Sequence, residues 1–208
     1  MTQALAGRTV LVTRPAHQAA ALAQAIQAVG GEACVFPALA IEAVPVSELA
    51  TSLTHVAEAD LLIFISPNAA QFGMAAIRAG GRLSASAVVL AVGPGTARAL
   101  QAQGVSGAIV PDGQDSDALL ALPQLAAVAG KRVVIVRGVG GRAVLADTLA
   151  ARGAQVHFME CYRRVLPQAD GAQLLARWQA GGIDAVTVTS AETLDNLAAL
   201  LGEAGKTL

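Results

Sequence analysis

Two serines sit at the ends of apolar runs: "DLLIFISPN" carries Ser66 into Pro67 and Asn68, and "DAVTVTSAE" carries Ser190 into Ala191. A hydroxyl so placed has three available chemistries: nucleophilic attack, capture of an anion at a helix N-terminus, or helix capping alone. Attack fits worst, because neither serine lies in a G-x-S-x-G elbow and no His or Asp is spaced to complete a triad. Capping, with or without an anionic ligand, remains, and Ser66 followed by Pro67 is a standard helix start.

Two glycine turns offer a second kind of chemistry. In "VGPGTARAL", Gly93 and Gly95 permit close main-chain approach to a ligand, and Thr96 is the expected cap of a helix ending before Gly104. The Gly-Lys-Ser/Thr of a P-loop is missing, so a ligand turn and a plain strand-to-helix turn both stay open. In "VRGVGGRA", Gly138, Gly140 and Ala143 fit G-x-G-x-x-A, and Glu160 follows 20 residues after Gly140. This outlines a dinucleotide fingerprint and keeps a nicotinamide- or flavin-dependent oxidoreductase in view. The acids Asp60 and Asp184 precede their strands, opposite to the serines, and are expected to be structural.

These residues need parallel βα units to position them. Runs such as "RTVLVTRP", "AVVLAVGPG" and "KRVVIVRGVGG" end in turn residues and lead into Ala/Leu-rich stretches. After Pro15, Leu22, Ile26 and Val29 share one helical face, and Gly30 is the expected left-handed stop. With 54% hydrophobic but only 3% aromatic residues, the core must be aliphatic, which favours an α/β fold.

The chain also resembles itself. Arg14 and Gly30 match Arg137 and Gly153 at an offset of 123, while Asp60 and Ser66 match Asp184 and Ser190 at 124. A tandem duplication is expected, with the counterpart of "SAVVLAVGPGTARALQAQG" due near residue 210 and the second copy therefore cut short. Pro37, Pro45 and "ECYRRVLPQAD" interrupt the rhythm at corresponding places and are the expected interdomain crossings.

Several classes are excluded. The net charge is -1 and the 14 basic residues are scattered, which leaves no footprint for nucleic acid. Cys34, Cys161, His17, His55 and His157 show no metal-ligand spacing. No apolar run reaches membrane-spanning length and the N-terminus lacks a signal-peptide pattern, so a cytoplasmic protein without a membrane partner is expected.

The ordered set "VLVTRP", "VFPALAI", "ADLLIFISPNA", "LAVGPGTARAL", "VVIVRGVGGRAVLADTLAARGAQV", "CYRR" and "DAVTVTS" resembles the uroporphyrinogen-III synthase family along the whole chain. The resemblance implies two flavodoxin-like parallel-sheet domains joined by a two-stranded linker, with residues 1–36 plus 166–208 in the first and 37–165, including the linker strands, in the second. It implies an active cleft between them and a C-terminal segment beyond Leu208 that bears another glycine-threonine turn.

By the same resemblance the protein is a cofactor-independent, monomeric lyase of haem biosynthesis. Its partner would be the linear tetrapyrrole hydroxymethylbilane, closed to uroporphyrinogen III with inversion of ring D. Tyr162 would be the catalytic side chain. Arg14, Ser66, Asn68, Gly93, Thr96, Arg137, Gly138 and Ser190 would bind the substrate, whose carboxylates suit helix N-termini and main-chain amides. The oxidoreductase, favoured by "GVGGRA", and a non-catalytic two-lobed ligand-binding protein, favoured by the duplicated units, are the alternatives at this point.

Overall fold

The computed structural model describes residues 3–113, 115–141 and 143–207. In chain order, β1 (Thr9–Val12), α1 (Ala16–Ala28), β2 (Glu32–Val35) and β3 (Ala40–Ala43) come first. They are followed by α2 (Ala50–Ala57), β4 (Leu61–Phe64), α3 (Pro67–Gly80), β5 (Val88–Ala91) and α4 (Pro94–Ala102). Two short helices, α5 (Ser116–Leu120) and α6 (Pro123–Ala126), lead to β6 (Arg132–Gly138), α7 (Val144–Ala151) and β7 (Gln155–Val165). Then come α8 (Gly171–Gln179), β8 (Ala185–Thr187) and α9 (Ala191–Leu201). The fold is α/β, with parallel strands in both of its sheets.

The chain divides into two compact units, a contiguous one of Glu42–Arg163 and a discontinuous one of Met1–Ile41 with Arg164–Leu208. In the contiguous unit, β7, β6, β4 and β5 pair in parallel within the order β3-β7-β6-β4-β5. Both sheet faces are covered, which is why β4 and β6 are apolar at consecutive positions instead of alternating. Leu61, Ile63, Val133 and Ile135 join Leu90, Leu119, Leu125 and Leu149 in one cluster. Phe64 and Val136 face the other way, against α3 at Gly73. Each fully buried aliphatic side chain contributes about 1.5–3 kcal/mol relative to exposure.

The discontinuous unit builds a parallel sheet in the order β2-β1-β8. Strict alternation along β1 sends Val10 and Val12 to Ala19 and Ile26 of α1, and Leu11 to Leu174, Leu197 and Leu201 of α8 and α9. The first βα unit turns back at Gly30, with φ +84, a torsion that favours glycine. Gly153 shows the same value where α7 hands over to β7.

Each unit carries the same clamp at the start of its strands. Asp60 N donates to Arg132 O at 2.9 Å while Asp60 Oδ2 accepts from Arg132 N at 2.8 Å. Asp184 N donates to Thr9 O at 2.9 Å while Asp184 Oδ2 accepts from Thr9 N at 2.8 Å. The Thr9 N–H, helped by the Arg8 guanidinium, holds the Asp184 carboxyl below the usual carboxylate range. Both aspartates therefore set strand register, as their position ahead of the strands suggests.

His55 of α2 stacks on His157 of β7 with ring centroids 3.7 Å apart and planes 8° from parallel. Desolvation, then the charge on His55, lowers the pKa of His157. The unfolded chain thus takes up a proton at higher pH than the folded one, so the stability His157 contributes is present above its ordinary value of about 6.5 and is lost as pH falls through its lower folded value. The melting temperature is expected to drop as pH falls below about 6.5, and His157→Gln is expected to flatten that slope. An unchanged slope in His157→Gln would place the titration elsewhere. Among the described residues, no helix is long and apolar enough to cross a membrane.

Candidate functional site

The carboxyl ends of neighbouring parallel strands bring the chemistry-bearing residues of the contiguous unit together. Phe64, Ala91 and Val136 lie at the same level of β4, β5 and β6, so Ser66, Gly93 and Gly138 emerge side by side. Ser66 is the extended N-cap of α3, and its Oγ accepts from Ala69 N at 2.9 Å with Pro67 at the first helical position. Asn68 is the next residue of that first turn and is half-buried. A Cβ added to Gly95 would lie 3.8 Å from Pro67 Cγ, so the N-terminal turns of α3 and α4 abut. Two adjacent helix N-termini present orphan N–H groups and partial positive charge, a setting suited to carboxylates.

The second turn departs from expectation in one respect. Thr96 does not cap α4: Gly93 is the N-cap, without a side-chain cap bond, Pro94 takes the first helical position, and Thr96 is buried two positions further in. Proline at Pro94 suits the first helical position, where the missing N–H has no partner to lose, and this moves the helix start two residues ahead of the threonine. Gly93 has φ -173, an extended torsion open to any residue, so its use is the absence of a side chain and not its backbone freedom.

Tyr162 reaches the same place from β7. Its Oη is 3.2 Å from Ser66 Oγ, its ring lies 5.8 Å from that of Phe72, and it is only 3% exposed. Beneath it, Cys161 donates weakly to Arg137 O and Ala69 O, and burial pushes its thiol up to about 12. That thiol is a packing group rather than a nucleophile.

Arg137 faces away from this cluster. Its guanidinium is buried, bonds the carbonyls of Gly138 and Gly140, pairs with Glu160 at 3.4 Å and lies 4.6 Å from the Phe158 ring centroid. Glu160 Oε1 also accepts from Gly140 N at 3.1 Å, which ties down the glycine loop. The acid that completed the dinucleotide fingerprint is thus occupied by the loop it was expected to serve, and the oxidoreductase reading loses its ribose partner. Next to Arg137 opens a cavity of about 510 Å³ lined by Phe158, Asp115, Asp117, Val92 and Val144.

In the discontinuous unit, Arg14 and Ser190 follow β1 and β8, which are parallel neighbours. Arg14 is exposed. Ser190 caps α9 by accepting from Thr193 N at 3.2 Å, and it shares a bond with Thr193 Oγ1 at 2.9 Å. Sequence reasoning missed Phe72 beside Tyr162 and the Arg137–Glu160 latch. Phe72 carried no local signal, whereas Arg137 and Glu160 could have been paired by extending neighbouring parallel strands in register.

Residues 20–208 match the family model described as "Uroporphyrinogen-III synthase HemD". The uroporphyrinogen-III synthase of Salmonella typhimurium is 40% identical over 196 residues, covering 91% of this chain and 78% of that protein. The Escherichia coli enzyme is 38% identical over 198 residues, covering 93% and 80%. A crystal structure of mutant uroporphyrinogen III synthase from the extremely thermophilic bacterium Thermus thermophilus superposes with a TM-score of 0.65 at 26% identity, over 93% of this chain and 77% of that one. The resemblance carried by ordered strand-end motifs thus extends to the sequence and fold of more than 90% of the chain, and the chain belongs to the uroporphyrinogen-III synthase family.

Proposed function

We propose that this chain is a cyclising hydro-lyase which converts hydroxymethylbilane to uroporphyrinogen III, and that Tyr162 is its proton donor. The observation that carries the residue assignment is the phenol of Tyr162 3.2 Å from Ser66 Oγ at the carboxyl ends of parallel strands. Departure of the substrate hydroxyl as water requires a proton, which Tyr162 Oη supplies as the C–O bond breaks. The substituted carbon of the last ring attacks the azafulvene methylene so formed, and the spiro intermediate reopens and closes at the inverted position. Closure releases a ring proton, which returns to the phenolate, so the net loss is one water.

Substrate carboxylates are held by the N-terminal turns of α3 and α4, through Ser66, Asn68, Gly93 and Thr96, and Arg14 and Ser190 are the strand-end residues of the discontinuous unit with the same chemistry to offer a carboxylate. Arg137 and Gly138 belong to the turn that supports them. We read the two units as flavodoxin-like domains of a tandem duplication linked by β3 and β7, with residues 1–36 plus 166–208 in one and 37–165 in the other. The paired Asp60 and Asp184 clamps and the paired serine caps support this. A cytoplasmic monomer is the accompanying proposal.

The test is an assay coupled from porphobilinogen that resolves the I and III isomers of the product. Isomer III in excess of the spontaneous isomer I supports the reading, and isomer I alone overturns it. Ser66→Ala and Ser190→Ala are each expected to weaken product binding by about 1 kcal/mol, the scale of one lost hydrogen bond. If Ser190→Ala loses stability with affinity unchanged, capping is that serine's whole role, and the same result in Ser66→Ala removes carboxylate binding from the roles of Ser66.

A further inference from the structure

Tyr162 takes its direction from a break in the sheet. Phe158 and Glu160 both face Arg137. Cys161 lies on the opposite side, its Sγ 3.8 Å from Ala69 O in α3. Regular alternation would return residue 162 to the Arg137 side. Instead the pairing jumps from Arg137↔Glu160 to Gly138↔Tyr162, a bulge that gives two successive residues of β7 the same side. The ladder then resumes, with Val139 N donating to Tyr162 O at 2.8 Å.

The turned ring lies on Gly138. A Cβ at that residue would be 2.6 Å from both Cε2 and Cζ of Tyr162, at the reacting end of the phenol. Gly138 is not among the glycines with positive φ, so glycine is not needed there for its torsion. What the position requires is the absence of a methyl group. Ser66 fixes the other coordinate: with Oγ accepting from Ala69 N, its own proton can go to Tyr162 Oη, which leaves the phenol proton for a bound hydroxyl. The same donor, backed by the N-terminus of α3, meets the negative charge that forms on Oη as the proton leaves.

We infer that Gly138 and Ser66 are positioning residues for Tyr162, Gly138 by leaving the slot in which the ring lies and Ser66 by directing its hydroxyl. This rests on the proton-donor role proposed above for Tyr162. Gly138→Ala is expected to lower kcat for hydroxymethylbilane at least about tenfold with a smaller change in KM, and to cost little further kcat in a Tyr162→Phe background. Ser66→Gly, which keeps a tolerated N-cap residue, should behave likewise.

Tyr162 is the single tyrosine of the chain, so carbon-labelled tyrosine reports its ring by magnetic resonance whatever the activity. Its signal should move in both variants. If the signal stays in place in folded Gly138→Ala, or if the loss of kcat adds in full to that of Tyr162→Phe, the inference is overturned. If the signal moves while Tyr162→Phe keeps full turnover, the positioning stands and the proton-donor role falls. Should Gly138→Ala not fold, the signal and the kcat cycle in Ser66→Gly decide the question.

Discussion

Tyr162→Phe is expected to lower turnover of hydroxymethylbilane at least about tenfold while the product formed on the enzyme stays largely isomer III. A well-placed general acid typically contributes about 10²- to 10⁴-fold. The lower end applies here because the azafulvene also forms without a catalyst, and water can replace part of the lost donor. The ring itself, with its contacts to Gly138 and Phe72, is retained, so the fold should survive the loss of one hydrogen bond to Ser66, worth about 1 kcal/mol. In the binding mode proposed above, isomer choice depends on holding the last ring, a task spread over several turns. Full turnover by the folded variant would falsify the donor role, and slow turnover giving mostly isomer I would make Tyr162 a holder of the ring instead.

The largest expected loss of stability comes from Gly73→Leu. A Cβ at Gly73 would already stand 2.6 Å from Val136 Cγ1 and 3.4 Å from Phe64 Cε1, so α3 rests directly on the sheet there. A full leucine must lift the helix or displace two buried side chains, a cost of about 3 kcal/mol at the upper end for overpacked cores. Because α3 begins at the Ser66 cap, the displaced helix would also carry the cap away from Tyr162. Urea unfolding measures the first effect and product binding the second. Gly95→Ala is the control, since nothing lies closer than 3.8 Å to its added Cβ. Equal midpoints for the two variants would mean that α3 does not sit as closely as described.

The βα rhythm was legible because apolar runs, caps and glycine stops are local and state their chemistry openly. Ser66, Ser190 and Gly30 do in the structure what their neighbours in sequence suggest. Thr96 was misread for an equally local reason: a threonine ahead of an apolar stretch looks like a cap, but the proline two positions earlier had already started the helix. The rest depended on pairing between distant strands. Nothing in "ECYRRV" announces that a bulge turns Tyr162 to the side of Cys161, because the bulge exists only against Arg137 and Gly138 of another strand. The stack of His55 on His157 and the engagement of Glu160 by Gly140 are of the same kind, created by register and invisible to spacing.

The sheet order β2-β1-β8 also has a consequence in time. β1 can pair with β2 almost as soon as both are made, but its other edge is filled by β8, and Thr187 Oγ1 reaches Leu11 O across 176 positions of chain. At about 5–20 residues per second, a ribosome needs about 10–35 s to deliver that partner. Meanwhile the whole of Glu42–Arg163, a compact unit with its own core, emerges, while Leu11, wholly buried in the finished protein, waits at an open strand edge. The nascent chain should therefore be most vulnerable to aggregation and to chaperone capture at its first strand, and slowing translation between β2 and β8 should lower the soluble yield while leaving the finished protein unchanged.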